Sequence, residues 1–372
     1  MLHIYRQITA LERVRPIVIA QKRANADRFP FPRLYLVRKS RAHFLRRLWY
    51  RQLSDAPWHV SRGEVSELIR VLDQTEAQLL HIYFGHIAVH LLPLIRAWRR
   101  PSLVSFHGAD VGVDLKKPAY RTATQKMLSA VRRVLVRSES LRRALIEIGC
   151  APDKIELQRT GIPLSEFPFR ERSAPGNGEW RLLQASRLIE KKGLKTTLRA
   201  FASFRAGFPN AKLVIAGEGP QANELAELAG ELKIANAVHF AGFVSQARLR
   251  ELFYSSHLFL HPSETAADGN QEGVPNSMLE AMASGLPVFA TRHGGIPEAV
   301  EDFVSGFLVS ERDHNSLGAA LIDFAKTEAQ FSTMGRAAAE SVARQFDQSV
   351  QTRRLEEIYL REMTASQKQP VE

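Results

Sequence analysis

ETAADGNQEGVPNSMLEAMASGLPVFATRHGGIPE, residues 264–298, is the stretch on which the reading of this chain turns. Two acids, Glu272 and Glu280, stand in it with seven residues between them. Glu272 falls in a loop rich in Gly, Asn and Asp. Glu280 falls one turn into an expected helix, which Asn276 would cap after Pro275 and which Met278, Leu279, Ala281, Met282 and Ala283 fill. Gly285 ends that helix, residues 286–291 read as a short buried strand, and Gly294, Gly295 and Pro297 turn tightly into a second helix start. Helix N-termini beside glycine loops suit an anion, because unpaired N–H groups and the helix dipole both favour negative charge. A carboxylate would repel the same anion, so Glu280 is better employed accepting hydroxyl groups. The ligand implied is anionic at one point and rich in hydroxyls around it, as a nucleotide-sugar is. Glu280 would take ribose hydroxyls and Glu272 those of the sugar. Standing alone, two glutamates at this spacing read more simply as a solvated loop acid and a helix-cap acid. Within EGVPNSMLEAMASGLPV the ligand reading is strong.

Those residues resemble the large family of retaining glycosyltransferases with the GT-B fold, group 1 and family 4-like. The resemblance spans roughly residues 80–360 and is nearest to members that assemble bacterial surface polysaccharides and exopolysaccharides of the colanic-acid type. It implies an α/β protein of two Rossmann-like domains facing a cleft. Residues 1–172 would form the acceptor-side domain, 173–345 the nucleotide-sugar domain, and 346–372 a helix crossing back to the first domain with a tail. It further implies that Arg187 and Lys192 hold the donor diphosphate and that Gly242, Phe243 and Val244 lie beside the nucleobase. Gly217 and Gly219 line the phosphates, and Val274, Pro275, Asn276 and Ser277 complete the donor site with Glu280. Glu272 and His107 are the implied catalytic pair, His107 positioning the sugar and not attacking it.

The bulk properties agree with such a chain. At 372 residues it is long enough for two cores. One cysteine, Cys150, excludes an internal disulfide framework and fits a reducing compartment. No apolar run approaches a membrane span, and no leader pattern opens the chain, so a cytoplasmic enzyme is expected. The net charge of +12 is concentrated at one end, with thirteen Lys and Arg against Glu12 and Asp27 up to Arg51. Residues 41–51, RAHFLRRLWYR, place Phe44, Leu45, Leu48 and Trp49 at helical spacing. Two readings stay open there: a surface helix packing its aromatic stripe on the domain, or a basic amphipathic helix lying on an anionic membrane face. The concentrated charge raises the second beside the first, so peripheral attachment to the inner face of the plasma membrane through residues 1–51 is an expectation.

Taken in order, residues 1–12 read as a helix, and PIVIA (16–20) and RLYLV (33–37) as strands. From residue 78 strands alternate with helices, as in a parallel sheet covered on both faces. One helix, 86–98, should kink at Pro93, and SAPGNG (173–178) has the composition of a linker. In the second half a helix is expected to open at Lys191-Lys192-Gly193, and Pro220 suits the first position of another. Chains of the family it resembles usually open with a strand and a polar loop, whereas this one begins at a helix, so the N-terminal domain is expected to lack its first strand and the start to lie downstream of the natural one.

Every motif falls at the end of an expected strand, where open parallel sheets bind ligands. Taken alone, each has a plainer reading. Arg187 and Lys192 could be a solvated strand-end pair, Gly217-Glu218-Gly219-Pro220 a simple turn, and His107 in SFHGAD a satisfied strand-end histidine. Asp268 and Asp110 stand singly, no Asp-x-Asp pair occurs, and clusters of His and Cys are absent. Metal-independent transfer is therefore expected, with no cofactor beyond the nucleotide-sugar co-substrate and no nucleic-acid partner. The acceptor is expected to be a glycan or lipid-linked glycan. Two rivals are a nucleotide-sugar 2-epimerase on the same fold and an inactive nucleotide-sugar-binding protein. Tyr83, where close relatives often carry a second histidine, leaves the acceptor contacts open.

Overall fold

A computed structural model describes residues 2–37, 44, 48, 50, 57–108, 117–327 and 329–367. Asp110 and most of residues 41–51 lie outside them; Phe44 and Leu48 are described, and both are exposed. The chain divides into two compact units, Met1–Gly161 with Ser349–Glu372, and Ile162–Gln348. The SAPGNG stretch lies within the second.

Unit 1 holds two parallel sheets. Among the described residues, strands β1 (Val18–Ala20) and β2 (Leu34–Leu36) pair only with each other. Strands β3 (Leu80–Tyr83), β4 (Ser102–Phe106), β5 (Arg133–Val136) and β6 (Ile155–Leu157) form a four-stranded sheet in sequence order. Its central strand SLVSF is buried along its whole length, the mark of a parallel sheet covered on both faces. Between β2 and β3 runs a helix, Arg62–Gln74, closed by a reciprocal capping box between Ser61 and Glu64. The expected helix 86–98 is two helices, Gly85–His90 and Leu92–Ala97. Pro93 sits in the first turn of the second, where its missing N–H costs nothing. The final helix, Gln348–Gln367, packs Leu355, Ile358 and Tyr359 on Leu103 and Leu135 of this sheet. Glu356, nearly fully buried, accepts the backbone N–H groups of Glu12, Arg13 and Val14 at 2.7, 2.5 and 3.2 Å.

Unit 2 is one six-stranded parallel sheet. Its strands are β7 (Arg181–Ala185), β8 (Lys212–Ala216), β9 (Val238–Gly242), β10 (Leu258–His261), β11 (Val288–Thr291) and β12 (Gly306–Val309). They lie in the order β12-β11-β10-β7-β8-β9. From β7 the chain winds outward through β8 and β9, then crosses back to β10 and winds the other way. The connections leaving β7 and β10 therefore diverge, and the carboxyl ends of these neighbours flank the topological switch point, where doubly wound sheets leave a crevice. Apolar clusters fill both faces, one around Phe253, Phe259, Met278 and Met282, the other around Phe201, Phe204, Phe289 and Phe324.

Three local expectations are corrected in this unit. Asn276 does not cap the helix Asn276–Ala283 but is its first residue; extended Pro275 takes the cap position, and no side chain caps the turn. Pro220 lies in a turn, and the helix begins at Ala222. The second helix start after Gly294-Gly295 is only a three-residue 3-10 turn, Ile296–Glu298.

Candidate active site at the switch point of unit 2

β7 ends in Ser186 and Arg187, and the chain then folds back through a 3-10 turn, Glu190–Lys192. Glycine is required at 193 twice over: the backbone is left-handed there, and a Cβ would run into the Pro262 carbonyl beyond β10. Gln184, buried on β7, donates to the Lys192 carbonyl at 2.8 Å and accepts from Thr197 Oγ1 at 2.6 Å, which fixes the turn from below. Lys192 Nζ pairs with Glu272 Oε2, and Lys191 Nζ lies 3.9 Å from Oε1 of the same carboxylate. Lys191 also donates to Asn270 Oδ1 at 3.2 Å and to the Gln271 carbonyl at 3.1 Å, so it braces the loop as well as its acid. Burial alone would raise the Glu272 carboxyl; Lys192 and Lys191 outweigh it and hold it down at about 2. Glu272 is ionised.

Around that pair the expected residues gather at the ends of three strands. Ser277 donates its hydroxyl to the Ala185 carbonyl at 2.6 Å, tying the first turn of the helix Asn276–Ala283 to the end of β7. Val274 and Pro275 are buried beneath that turn, and Glu280 is buried one turn further along the helix. A Cβ at Gly217 would clash with the Ser186 carbonyl and one at Gly219 with that of Leu188, so glycines alone let the β8 loop close on Arg187. Gly217 N–H donates to the Gly242 carbonyl at 2.8 Å, and Glu218 Oε1 accepts the Phe243 N–H at 3.3 Å. Phe243 itself is 60% exposed, an aromatic face open to a ligand at the end of β9. The Arg187 side chain is exposed and makes no hydrogen bond or ion pair among the described residues. The site thus offers a free guanidinium, an uncapped helix N-terminus, an ionised acid and a second buried acid.

Sequence reasoning passed over Lys191, His261 and His293. His261 ends β10 fully buried, and neither ring nitrogen has a hydrogen-bond partner among the described residues. Burial, then Lys192, lowers it to about 3, so it is neutral. His293 Nε2 accepts the Glu272 N–H at 2.9 Å, and its Nδ1 lies 2.6 Å from Glu311 Oε1. Burial works against the charge of Glu311, but the Thr265 N–H and His293 outweigh it and hold that carboxyl below its ordinary value. The signal available was the histidine immediately before Gly294-Gly295 in a stretch already singled out.

His107 lies in unit 1, just past the end of β4, and is described with that unit. Its Nδ1 is 3.3 Å from His3 Nε2, and its ring tilts against Phe84 at 4.5 Å. Burial above all, with Arg137 adding to it, lowers His107 well below the ordinary histidine range. Its neighbour His81 is lowered to about 3 for the same two reasons and bonds Tyr359 and Ser105. Tyr83 reaches Gln7 Oε1 at 3.3 Å, the same atom to which Arg137 donates at 3.1 Å. This part of unit 1 therefore holds neutral imidazoles, with His107 at the carboxyl end of β4. Among the described residues no three His, Cys, Asp or Glu cluster as metal ligands would, and no helix is long and apolar enough to cross a membrane.

Residues 166–341 match the family model described as "Glycosyl transferases group 1", and residues 2–166 match "Glycosyltransferase Family 4". The amylovoran biosynthesis glycosyltransferase AmsK of Erwinia amylovora is 31% identical over 280 residues, 75% of this chain and 69% of AmsK. The chain belongs to the group 1 glycosyltransferase family. A further similar member, the putative colanic acid biosynthesis glycosyltransferase WcaL of Salmonella typhimurium, is 32% identical over 251 residues, 67% of this chain; the match spans 62% of WcaL. The crystal structure of Anabaena HepE in complex with UDP superposes with a TM-score of 0.77 at 18% identity, covering 96% of this chain and 95% of that one. A Rickettsia africae glycosyltransferase does so at 0.74 and 17%, covering 97% and 95%. The group 1 member described here has the GT-B fold.

Proposed function

We propose that this protein is a retaining, metal-independent glycosyltransferase that moves a sugar from a nucleoside-diphosphate donor to a growing surface glycan carried on a membrane lipid. The observation that carries the reading is the ionised Glu272, braced by Lys191 and Lys192 at the switch point beside the unpaired Arg187 and the uncapped helix turn at Asn276. Arg187 grips the diphosphate with its planar fork, and the N–H groups of residues 276–278 take a phosphate oxygen. Lys192 contributes positive charge nearby while keeping Glu272 ionised. Glu280 accepts the ribose hydroxyls, and the base lies against Phe243. Glu272 accepts hydroxyls of the sugar.

In the transfer itself, the anomeric carbon loses its bond to the diphosphate oxygen and gains one to the acceptor oxygen on the same face. The acceptor's proton passes to the leaving diphosphate oxygen, so no protein nucleophile is required. Negative charge growing on the diphosphate is stabilised by Arg187, Lys192 and the helix turn, which act as preorganised electrostatic partners. The crystal structures of HepE with UDP and with UDP and glucose support a nucleotide-sugar donor, and the exopolysaccharide names of AmsK and WcaL support the acceptor class. A screen of nucleotide-sugars by thermal shift tests the reading, because a ligand that binds the folded state raises the melting temperature by mass action. At least one nucleotide-sugar should stabilise the protein, and EDTA should leave both that shift and transfer intact. A panel with no stabilising nucleotide-sugar would overturn the reading, and loss of transfer in EDTA restored by magnesium would overturn the metal-free part.

A further inference from the structure

The loop that carries Glu272 is held at both ends by one histidine–glutamate pair. At its far end the Glu272 N–H reaches His293 Nε2 at 2.9 Å, and at its near end the Thr265 N–H reaches Glu311 Oε2 at 2.7 Å. His293 and Glu311 are joined to each other at 2.6 Å. A backbone N–H can only donate, so Nε2 must be the bare nitrogen of a neutral ring. The ring proton is then on Nδ1, where Glu311 accepts it. Glu311 thus sets the tautomer, and the tautomer sets whether Glu272 has an acceptor to hang from. His293 is 2% exposed, so its ring cannot swing away to solvent. Two further contacts bring the same turn onto the loop: Gly294, left-handed, would clash with the Glu272 carbonyl if it bore a Cβ, and Gly295 N–H donates to the Gly273 carbonyl at 3.1 Å.

We propose that His293 is a positioning residue for the reaction, placing the Glu272 carboxylate through the Glu272 backbone with Glu311 fixing its tautomer. The proposal rests on the reading of Glu272 as the acid that meets the sugar. His293 touches no reacting atom; it holds the main chain from which the carboxylate projects. Lys191 and Lys192 hold the carboxylate itself, so loss of His293 should shift Glu272 without neutralising it.

Two substitutions separate the ring's two bonds. His293→Asn puts an amide nitrogen near the place of Nδ1 and keeps the Glu311 bond while losing the Glu272 acceptor. His293→Gln puts an amide oxygen near the place of Nε2 and keeps the acceptor. Hydrogen exchange of the loop peptide, release of UDP from UDP-glucose and UDP affinity are measured on both full-length variants. His293→Asn should exchange the Glu272 amide about tenfold faster and lose about tenfold or more in kcat, because a displaced catalytic group is costly. Its UDP affinity should stay within about threefold, since Arg187 and the helix turn are untouched. His293→Gln should approach wild type on every readout. Wild-type exchange or turnover in His293→Asn would overturn the proposal. So would a joint fall of turnover, UDP affinity and melting temperature in both variants, which marks a merely structural ring. Glu272→Gln, run alongside, separates the two ideas: wild-type turnover there removes the sugar reading of Glu272, while the exchange data still decide whether His293 holds the loop.

Discussion

Glu272 keeps its charge in a place where burial argues against it, and two lysines are the reason. Removing one partner of a buried pair leaves the other uncompensated, which commonly costs about 3–5 kcal/mol. Lys192→Met should fall near the lower end, about 3 kcal/mol, because Lys191 remains 3.9 Å away. Urea unfolding would show it, and adding Glu272→Gln to the same chain should recover most of the loss. The same pair predicts acid sensitivity. The Glu272 carboxyl sits at about 2 against an ordinary 4.5, a depressed value, so its stabilisation is complete above 4.5 and is lost as pH falls from there towards about 2. The gap in urea midpoint between wild type and Glu272→Gln should therefore narrow only below that upper bound; a gap that stays constant on acidification would contradict it. The positions of Glu272, Glu280 and Arg187 near the end of β7 were legible in the sequence, because motifs at strand ends gather along the carboxyl edge of a parallel sheet. Lys191 and His293 were not, since their work depends on contacts across loops that spacing does not reveal. Lys192 shows the same limit: the sequence offers it as a cation for a diphosphate, but its ion pair with Glu272 was not legible there.

Two glycines carry the site at the level of elements, and each guards a different neighbour. Gly217 has a φ of 144° and lies against the Ser186 carbonyl, next to Arg187; Gly294 has a φ of 55° and lies against the Glu272 carbonyl. A methyl group at either must push main chain, at a cost of about 1–3 kcal/mol. The functional consequences should differ. Gly217→Ala should weaken nucleotide binding by displacing Arg187, whereas Gly294→Ala should lower turnover more than nucleotide affinity. Equal effects of both on both quantities, from calorimetry and kinetics, would deny that the two loops serve separate parts of the donor. The elements themselves were largely readable, because runs such as SLVSF, LFLH and VFAT are mostly apolar, as suits strands buried on both faces. Helix ends were less so. Extended Pro275 takes the cap position that Asn276 was expected to fill, and Leu91 breaks a helix expected only to kink. The helix Arg62–Gln74 was not read at all, although its Ser61–Glu64 capping box was present in the sequence.

At the scale of the molecule, strand order is the property that pattern cannot supply. The alternation of strands and helices gives a parallel sheet, but only the pairing of β7 with β10 shows where unit 2 opens. Charge is a whole-molecule property too, and here it is concentrated before Arg51, with Tyr35, Leu36 and Phe44 exposed in the same part of the chain. Each basic side chain near an anionic surface contributes about 1 kcal/mol, so several together hold a protein reversibly. Sedimentation with vesicles should show binding to anionic and not to neutral lipid, lost at high salt; equal binding to both would refute the membrane proposal. The central claim, a donor diphosphate on Arg187 and a sugar on Glu272, is tested most directly by titrating UDP, GDP and ADP calorimetrically into three proteins. These are wild type, Arg187→Ala and Glu272→Gln, each also assayed for turnover of the matching sugar nucleotide. The account predicts that one diphosphate binds wild type and that Arg187→Ala loses about 1.5–3 kcal/mol of that affinity. Glu272→Gln should bind it as wild type does yet fail to turn over. Binding that ignores Arg187, or wild-type turnover in Glu272→Gln, would contradict the account.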